Sequence, residues 1–171
     1  LDVCRVEAGL ILIEAEYTSA RHAVAPEQQY SPFELGLGRL VNFNKAADFN
    51  GRRALLREQQ AGGPARRLVG VELDWAGIEG MYAKHGLAPA ISPFTHRDAV
   101  PVYKDNRQVG RATSITWGPT IKKMVGFGSV DKAQEKPGTR LSVEWSVEGE
   151  RGKVGATVVP FPFFDPGRKR A

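Results

Sequence analysis

From Leu68 onward the chain alternates with a period of two. Leu68-Val69-Gly70-Val71-Glu72-Leu73 reads as a strand, and Val100-Pro101-Val102-Tyr103 pairs with Gln108–Thr113 across the turn Lys104-Asp105-Asn106-Arg107. Met124–Val130 is a further strand. After the Pro137-Gly138 turn, Leu141, Val143, Trp145 and Val147 fall on one face, with Ser and Glu on the other. Gly149–Gly152 turns that strand back into Lys153–Val159. About six short strands separated by turn signals predict a small antiparallel barrel or jelly roll over residues 64–160.

Residues 1–63 follow a different pattern. Val3–Ile13 reads as a buried extended segment, on which Arg5 and Glu7 project to the same side. Ala8-Gly9 then permits close approach of other backbone or of a ligand. Spacing alone favours structural ion partners for Arg5 and Glu7. Ser31-Pro32-Phe33-Glu34 has the form of a capped helix start, kept short by Gly36 and Gly38, and Glu34 is assigned to the capping box. A second helix is expected over Arg52–Gln60, capped at Asp48 or Asn50 and stopped by Gly62-Gly63-Pro64. Residues 74–99, with His85 and His96, read as irregular. The predicted class is therefore α+β and mostly β: a partial helical segment, a six-stranded barrel, and a tail over 161–171.

Composition narrows the chemistry. A chain of 171 residues with 42% hydrophobic content has enough apolar material for a core. No apolar run is long enough for a membrane helix. One cysteine, Cys4, rules out an internal disulfide and fits a reducing cytoplasm. Three histidines without ligand spacing carry no metal site, and His22 reads as a surface residue. Nucleophile-elbow and phosphate-loop motifs are absent, so no catalytic residue is assigned. The formal charge of +5 favours anionic partners, and Arg168-Lys169-Arg170 reads as a solvated tail. Scattered basic residues and the inward phase of Trp145 argue against a nucleic-acid surface.

Motifs then bring in a family. Arg5-Val6-Glu7-Ala8-Gly9-Leu10 resembles the R-x-E-A-G-L segment of the glycine-cleavage T-protein (aminomethyltransferase) family. Ser31–Gly38 with Val41, Asp48-Phe49-Asn50-Gly51 with Ala54-Leu55, and Gly110–Ser114 with Trp117–Thr120 resemble further family motifs in order. Ile13 and Glu14 stand where glycine-cleavage members carry Tyr-Gly. That departure, with the Glu16–Gln29 loop and the Pro162–Pro166 ending, looks more like the tetrahydrofolate-dependent O-demethylase branch.

The resemblance implies transfer of a methyl or methylene group from a small-molecule donor to N5 of tetrahydrofolate. It implies a folate contact at Arg5, whose guanidinium suits a carboxylate or pterin edge, and ring contacts at Phe163 or Phe164. It also implies a partner: an N-terminal catalytic half, preceding Leu1, without which this portion is inactive. The competing class is a noncatalytic basic barrel that binds nucleic acid or a partner protein.

Overall fold

The computed structural model describes residues 1–167. The six expected strands are β1 (Arg66–Leu73), β2 (Val100–Lys104), β3 (Arg107–Gly118), β4 (Lys123–Asp131), β5 (Arg140–Val147) and β6 (Glu150–Val159). They close into an antiparallel barrel in the order β1-β4-β3-β2-β5-β6. Strands β2, β3 and β4 are sequential neighbours and β1 returns beside β4, a Greek-key arrangement. Pairing of Gly70–Leu73 with Ala156–Val159 seals the barrel and removes both sheet edges. The predicted turn between β2 and β3 is made by Asp105 and Asn106, both at positive φ, the conformation a tight hairpin needs.

Two apolar cores result. The barrel interior holds Val71, Val102, Val143, Val154 and Val158, each at most 1% exposed, with Trp145 packed against it as its alternation requires. A second core lies outside the barrel wall, where Val6, Leu68, Val125 and Phe127 meet Ile11, Phe161 and Phe163. This outer layer explains why Leu68–Val71 is a continuous buried run rather than an alternating one.

Three helices accompany the barrel in the described residues: α1 (Asp2–Glu7), α2 (Arg52–Gln60) and α3 (Trp75–Ala83). The first corrects the expected extended segment. Arg5 and Ala8 donate backbone bonds to Leu1 and Cys4, so the segment is one helical turn and a half. At about 100° per residue, Arg5 and Glu7 diverge instead of sharing a side. Of the apolar residues in that segment, Val6 is buried against the barrel wall and Ile11 packs on the same outer core.

Helix α2 has the predicted span, but Gly51 at φ 90° caps it, not Asp48 or Asn50. Residues 31–36 form the predicted reciprocal capping box: Ser31 N donates to Glu34 Oε2 at 2.8 Å and Glu34 N to Ser31 Oγ at 3.2 Å. The box opens a turn, not a regular helix, because Gly36 at φ +73° breaks the helical path at once.

Helix α3 replaces part of the segment expected to be irregular. Asp74 caps it by accepting from Ala76 N at 3.2 Å. Ile78 and Met81, three apart, bury against the barrel. Gly77 and Gly80 weaken its intrinsic propensity. Gly77 also allows a close approach: a Cβ there would lie 3.3 Å from Val154 Cγ1. The basic run 168–170 lies outside the described residues.

Candidate functional site

The polar centre of the molecule lies where α1 meets β3. Between Thr113↔Phe127 and Thr116↔Val125 the β3–β4 register gains one residue on β3, a β-bulge. Ser114 sits in it at φ 51°. The extra residue turns the Ser114 side chain away from the barrel core toward α1, although Ser114 is fully buried. Arg5 Nη2 donates to Ser114 Oγ at 2.6 Å, and Ser114 Oγ donates in turn to Glu16.

Glu16 is 1% exposed and is held on three sides. Arg5 Nη1 donates to Glu16 Oε2 at 3.0 Å, and Leu12 N donates to the same oxygen. Arg5 Nε donates to Asp2 Oδ1 at 2.8 Å, and Nη1 also to Leu10 O at 3.2 Å. These four bonds occupy four of the five guanidinium N–H groups. Arg97, at the far side, reaches Asp2 Oδ2 through Nη2 at 3.0 Å. The Arg5 hydrogen bond, aided by Arg97, holds the Asp2 carboxyl below its ordinary range.

Glu7 is 4% exposed and turns to the opposite flank. Its carboxylate accepts from Thr120 N at 2.8 Å, Thr120 Oγ1 at 2.9 Å and Ile121 N at 3.3 Å, gripping the β3–β4 turn. Its backbone carbonyl accepts from Phe164 N at 2.8 Å, which ties the C-terminal segment to α1. Gly9, at φ +72°, has Pro162 packed against it: a Cβ there would lie 2.9 Å from Pro162 Cα.

The three residues singled out in the sequence thus cluster around α1. Arg5 lies within the buried network, with most of its fork committed to Asp2, Glu16 and Ser114. Phe163 packs on Phe127 with ring centroids 5.7 Å apart, over Gly70. Phe164 is exposed. Sequence reasoning did not single out Asp2, Glu16 or Arg97, because single charged residues in loops and short helices carry no period. Ser114 did fall within a family motif, and that was its signal. Glu34, assigned to a structural cap, also receives Arg66 Nε at 2.9 Å. His22 is exposed, 3.1 Å from Glu14. Among the described residues no group of three or more His, Cys, Asp or Glu could hold a metal ion, and no helix is long and apolar enough to cross a membrane.

A cavity of about 270 Å³ opens separately at one end of the barrel, between β3, β5 and the residues that precede β2. Trp117 and Trp145 form part of its wall, and Trp117 packs in turn against Trp75 in a tilted arrangement, with centroids 5.0 Å apart.

Comparison with known proteins places the fold. Residues 85–165 match the model of the glycine cleavage T-protein C-terminal barrel domain. The chain is 32% identical over 171 residues to a trimethylamine-oxide aldolase of Ruegeria pomeroyi, covering 99% of this chain and 18% of that protein. It is 40% identical over 135 residues to an aminomethyltransferase of Synechococcus sp., covering 78% and 31% respectively. The crystal structure of the glycine cleavage system aminomethyltransferase T from Bartonella henselae superposes with a TM-score of 0.69 at 24% identity, over 95% of this chain and 37% of that one. The chain therefore spans roughly a fifth to a third of the curated relatives it matches. With its closed six-stranded barrel, this chain belongs to the glycine cleavage T-protein (aminomethyltransferase) family and carries its C-terminal part.

Proposed function

We propose that this chain is the C-terminal portion of a tetrahydrofolate-dependent methyl or aminomethyl transferase, one that passes a methyl group from a small-molecule donor to N5 of tetrahydrofolate. The observation that carries the proposal is the 32% identity to the trimethylamine-oxide aldolase along 99% of this chain, which runs through both the α1 segment and the barrel. The shorter match to the aminomethyltransferase supports the broader transferase class.

The residues near α1 fit a folate ligand in a limited way. Phe164 presents an exposed ring, suited to stacking on a flat heterocycle. Arg5 retains one N–H beyond its four internal bonds, enough for a single hydrogen bond but not for a two-pronged clamp. When bound, the folate supplies the accepting N5 nitrogen. This chain's residues hold one side of the ligand and shield it from water. The groups that handle the donor are assigned to a segment N-terminal to residue 1, and a cytoplasmic location fits the single, unpaired cysteine.

The test is a transfer assay with the full-length protein, a panel of methylated amines and methoxylated aromatic acids, and tetrahydrofolate, read as methylated or methylene folate. The expected result is product from the full-length protein and none from residues 1–171 alone. No folate product from any donor, together with salt-dependent binding of a fluorescent single-stranded oligonucleotide by this chain, would replace the proposal with the noncatalytic basic barrel.

A further inference from the structure

A second cavity, of about 350 Å³, opens on the outer face of the barrel, where β1, β4 and β3 lie side by side. Across these strands Arg111 stands opposite Ser129, and Arg66 opposite Asp131. Ala112 and Val130, next to them in the chain, are fully buried in the barrel interior. By alternation Arg111, Ser129, Arg66 and Asp131 therefore face outward. Tyr30, just before the Ser31 capping box, completes the wall.

The two arginines of this cavity differ in what the fold leaves them. Arg66 is spent: Nε donates to Glu34 Oε1 at 2.9 Å, and Nη1 and Nη2 to the carbonyls of Glu27 and Gln29 at 3.1 and 3.2 Å. Its guanidinium also lies 4.6 Å from the centre of the Tyr30 ring, which Tyr17 meets edge-on, so the phenol is held from two sides. Arg111 makes a single hydrogen bond, from Nη2 to the Tyr30 hydroxyl at 2.7 Å. Among the described residues no carboxylate pairs with it. A half-buried arginine is ordinarily paired with an acid, and this one is not.

Three side chains at this cavity have donors to spare. Arg111 keeps four N–H groups, which leaves one two-pronged fork intact. The Tyr30 oxygen accepts from Arg111, so its own O–H is free to donate. Ser129 is only 6% exposed and its hydroxyl has no partner among the described residues, yet that oxygen keeps contact with solvent. Charge then selects among acceptors. A neutral amide would leave the guanidinium charge unpaired. A dianion would exceed the one free positive charge and meet Asp131, whose own cation, Arg107, stands 4.0 Å away. One carboxylate matches both the charge and the fork.

We infer that this cavity binds a small monocarboxylate, clamped by Arg111 with Tyr30 and Ser129 as further donors. Arg5, Phe163 and Phe164 do not line it, so the site is independent of the proposed folate contacts.

The test is a titration of the ¹⁵N-labelled 171-residue protein with benzoate at low salt, followed through the Arg111 Nε–H and Ser129 backbone amide resonances. The expected result is a saturable shift of both, with a Kd of about 1–10 mM, ordinary for a fragment. Benzamide has the same shape without the charge and should bind at least about fivefold more weakly. Sulfate, a dianion, should also bind more weakly than benzoate, and Asp131→Asn should narrow that gap. Arg111→Lys keeps the charge but loses the fork, and should weaken benzoate by about fivefold as read at Ser129. Tyr30→Phe removes one donor and leaves the ring, and should weaken it by about threefold. Unmoved resonances at about 50 mM benzoate would overturn the inference. So would equal binding of benzamide, tighter binding of sulfate, or an unchanged affinity in Arg111→Lys.

Discussion

Arg5 and Ser114, 109 positions apart, are joined by a 2.6 Å hydrogen bond that fastens the first helix to the bulge of β3. The bond exists because two local irregularities coincide. A short helix points Arg5 inward, and one extra residue in β3 turns Ser114 outward. Glu16, buried between them, supplies the charge that makes the arrangement stable. The packing of α1 on the barrel therefore rests on a buried polar knot as well as on Val6.

Removal of the Glu16 carboxylate tests that view. Glu16→Ala leaves the Arg5 guanidinium mostly buried without its strongest partner, and should cost about 3–5 kcal/mol. Glu16→Gln keeps the shape and one acceptor, and should cost less, about 1–3 kcal/mol. Urea unfolding of the 171-residue protein measures both. A loss below about 0.5 kcal/mol in Glu16→Ala would mean the knot contributes nothing net.

Acid should loosen the same region. The folded Asp2 carboxyl is depressed, chiefly by its hydrogen bond from Arg5. A depressed carboxyl stabilises the fold above its unfolded value, about 3.9, and that stability fades as pH falls through the folded value. Asp2→Asn should therefore be less stable than the parent at pH 7, and the gap should close below about pH 4. Urea midpoints for the two proteins at several pH values provide the comparison, and a gap independent of pH would refute the ion pair as its source.

Gly9 should not tolerate a side chain. Gly9→Ala would force an L-residue into φ +72° and place its Cβ 2.9 Å from Pro162 Cα. Left-handed strain and overpacking together predict a loss of about 2–4 kcal/mol. Thermal unfolding would show it, accompanied by faster proteolysis of the segment that follows β6, since that segment packs on Gly9.

The two C-terminal phenylalanines should separate stability from ligand contact. Phe163, packed on Phe127 and Gly70, should cost about 2–3 kcal/mol when changed to alanine. Exposed Phe164 should cost about 0.5 kcal/mol or less. In the full-length protein Phe164→Ala should weaken tetrahydrofolate about three- to tenfold by equilibrium titration. An unchanged affinity would remove Phe164 from the folate contacts.

The barrel was legible in the chain because a closed sheet has one covered interior, and its strands must alternate to reach it. Leu141, Val143, Trp145 and Val147 write that alternation directly, as do the turns at Asp105-Asn106 and Gly149. Helix α2 was legible for a similar reason: its span and stop depend on neighbours in sequence. Its cap was not, because Gly51 caps through a left-handed backbone conformation instead of a side chain.

Tertiary structure decided the rest. Val3–Ile13 is apolar enough for a strand, yet the barrel had no open edge to pair with it, so the segment begins as a helix pressed on the outer wall. Helix α3 draws its stability from Ile78 and Met81 against the barrel, a contact no local propensity records. The bulge at Ser114, the burial of Glu16 and the Arg111 guanidinium left without a carboxylate all depend on which strands lie side by side. Periodicity reports the environment of a chain along its own axis. The polar network and the cavity arise between elements distant in sequence, where periodicity carries no signal.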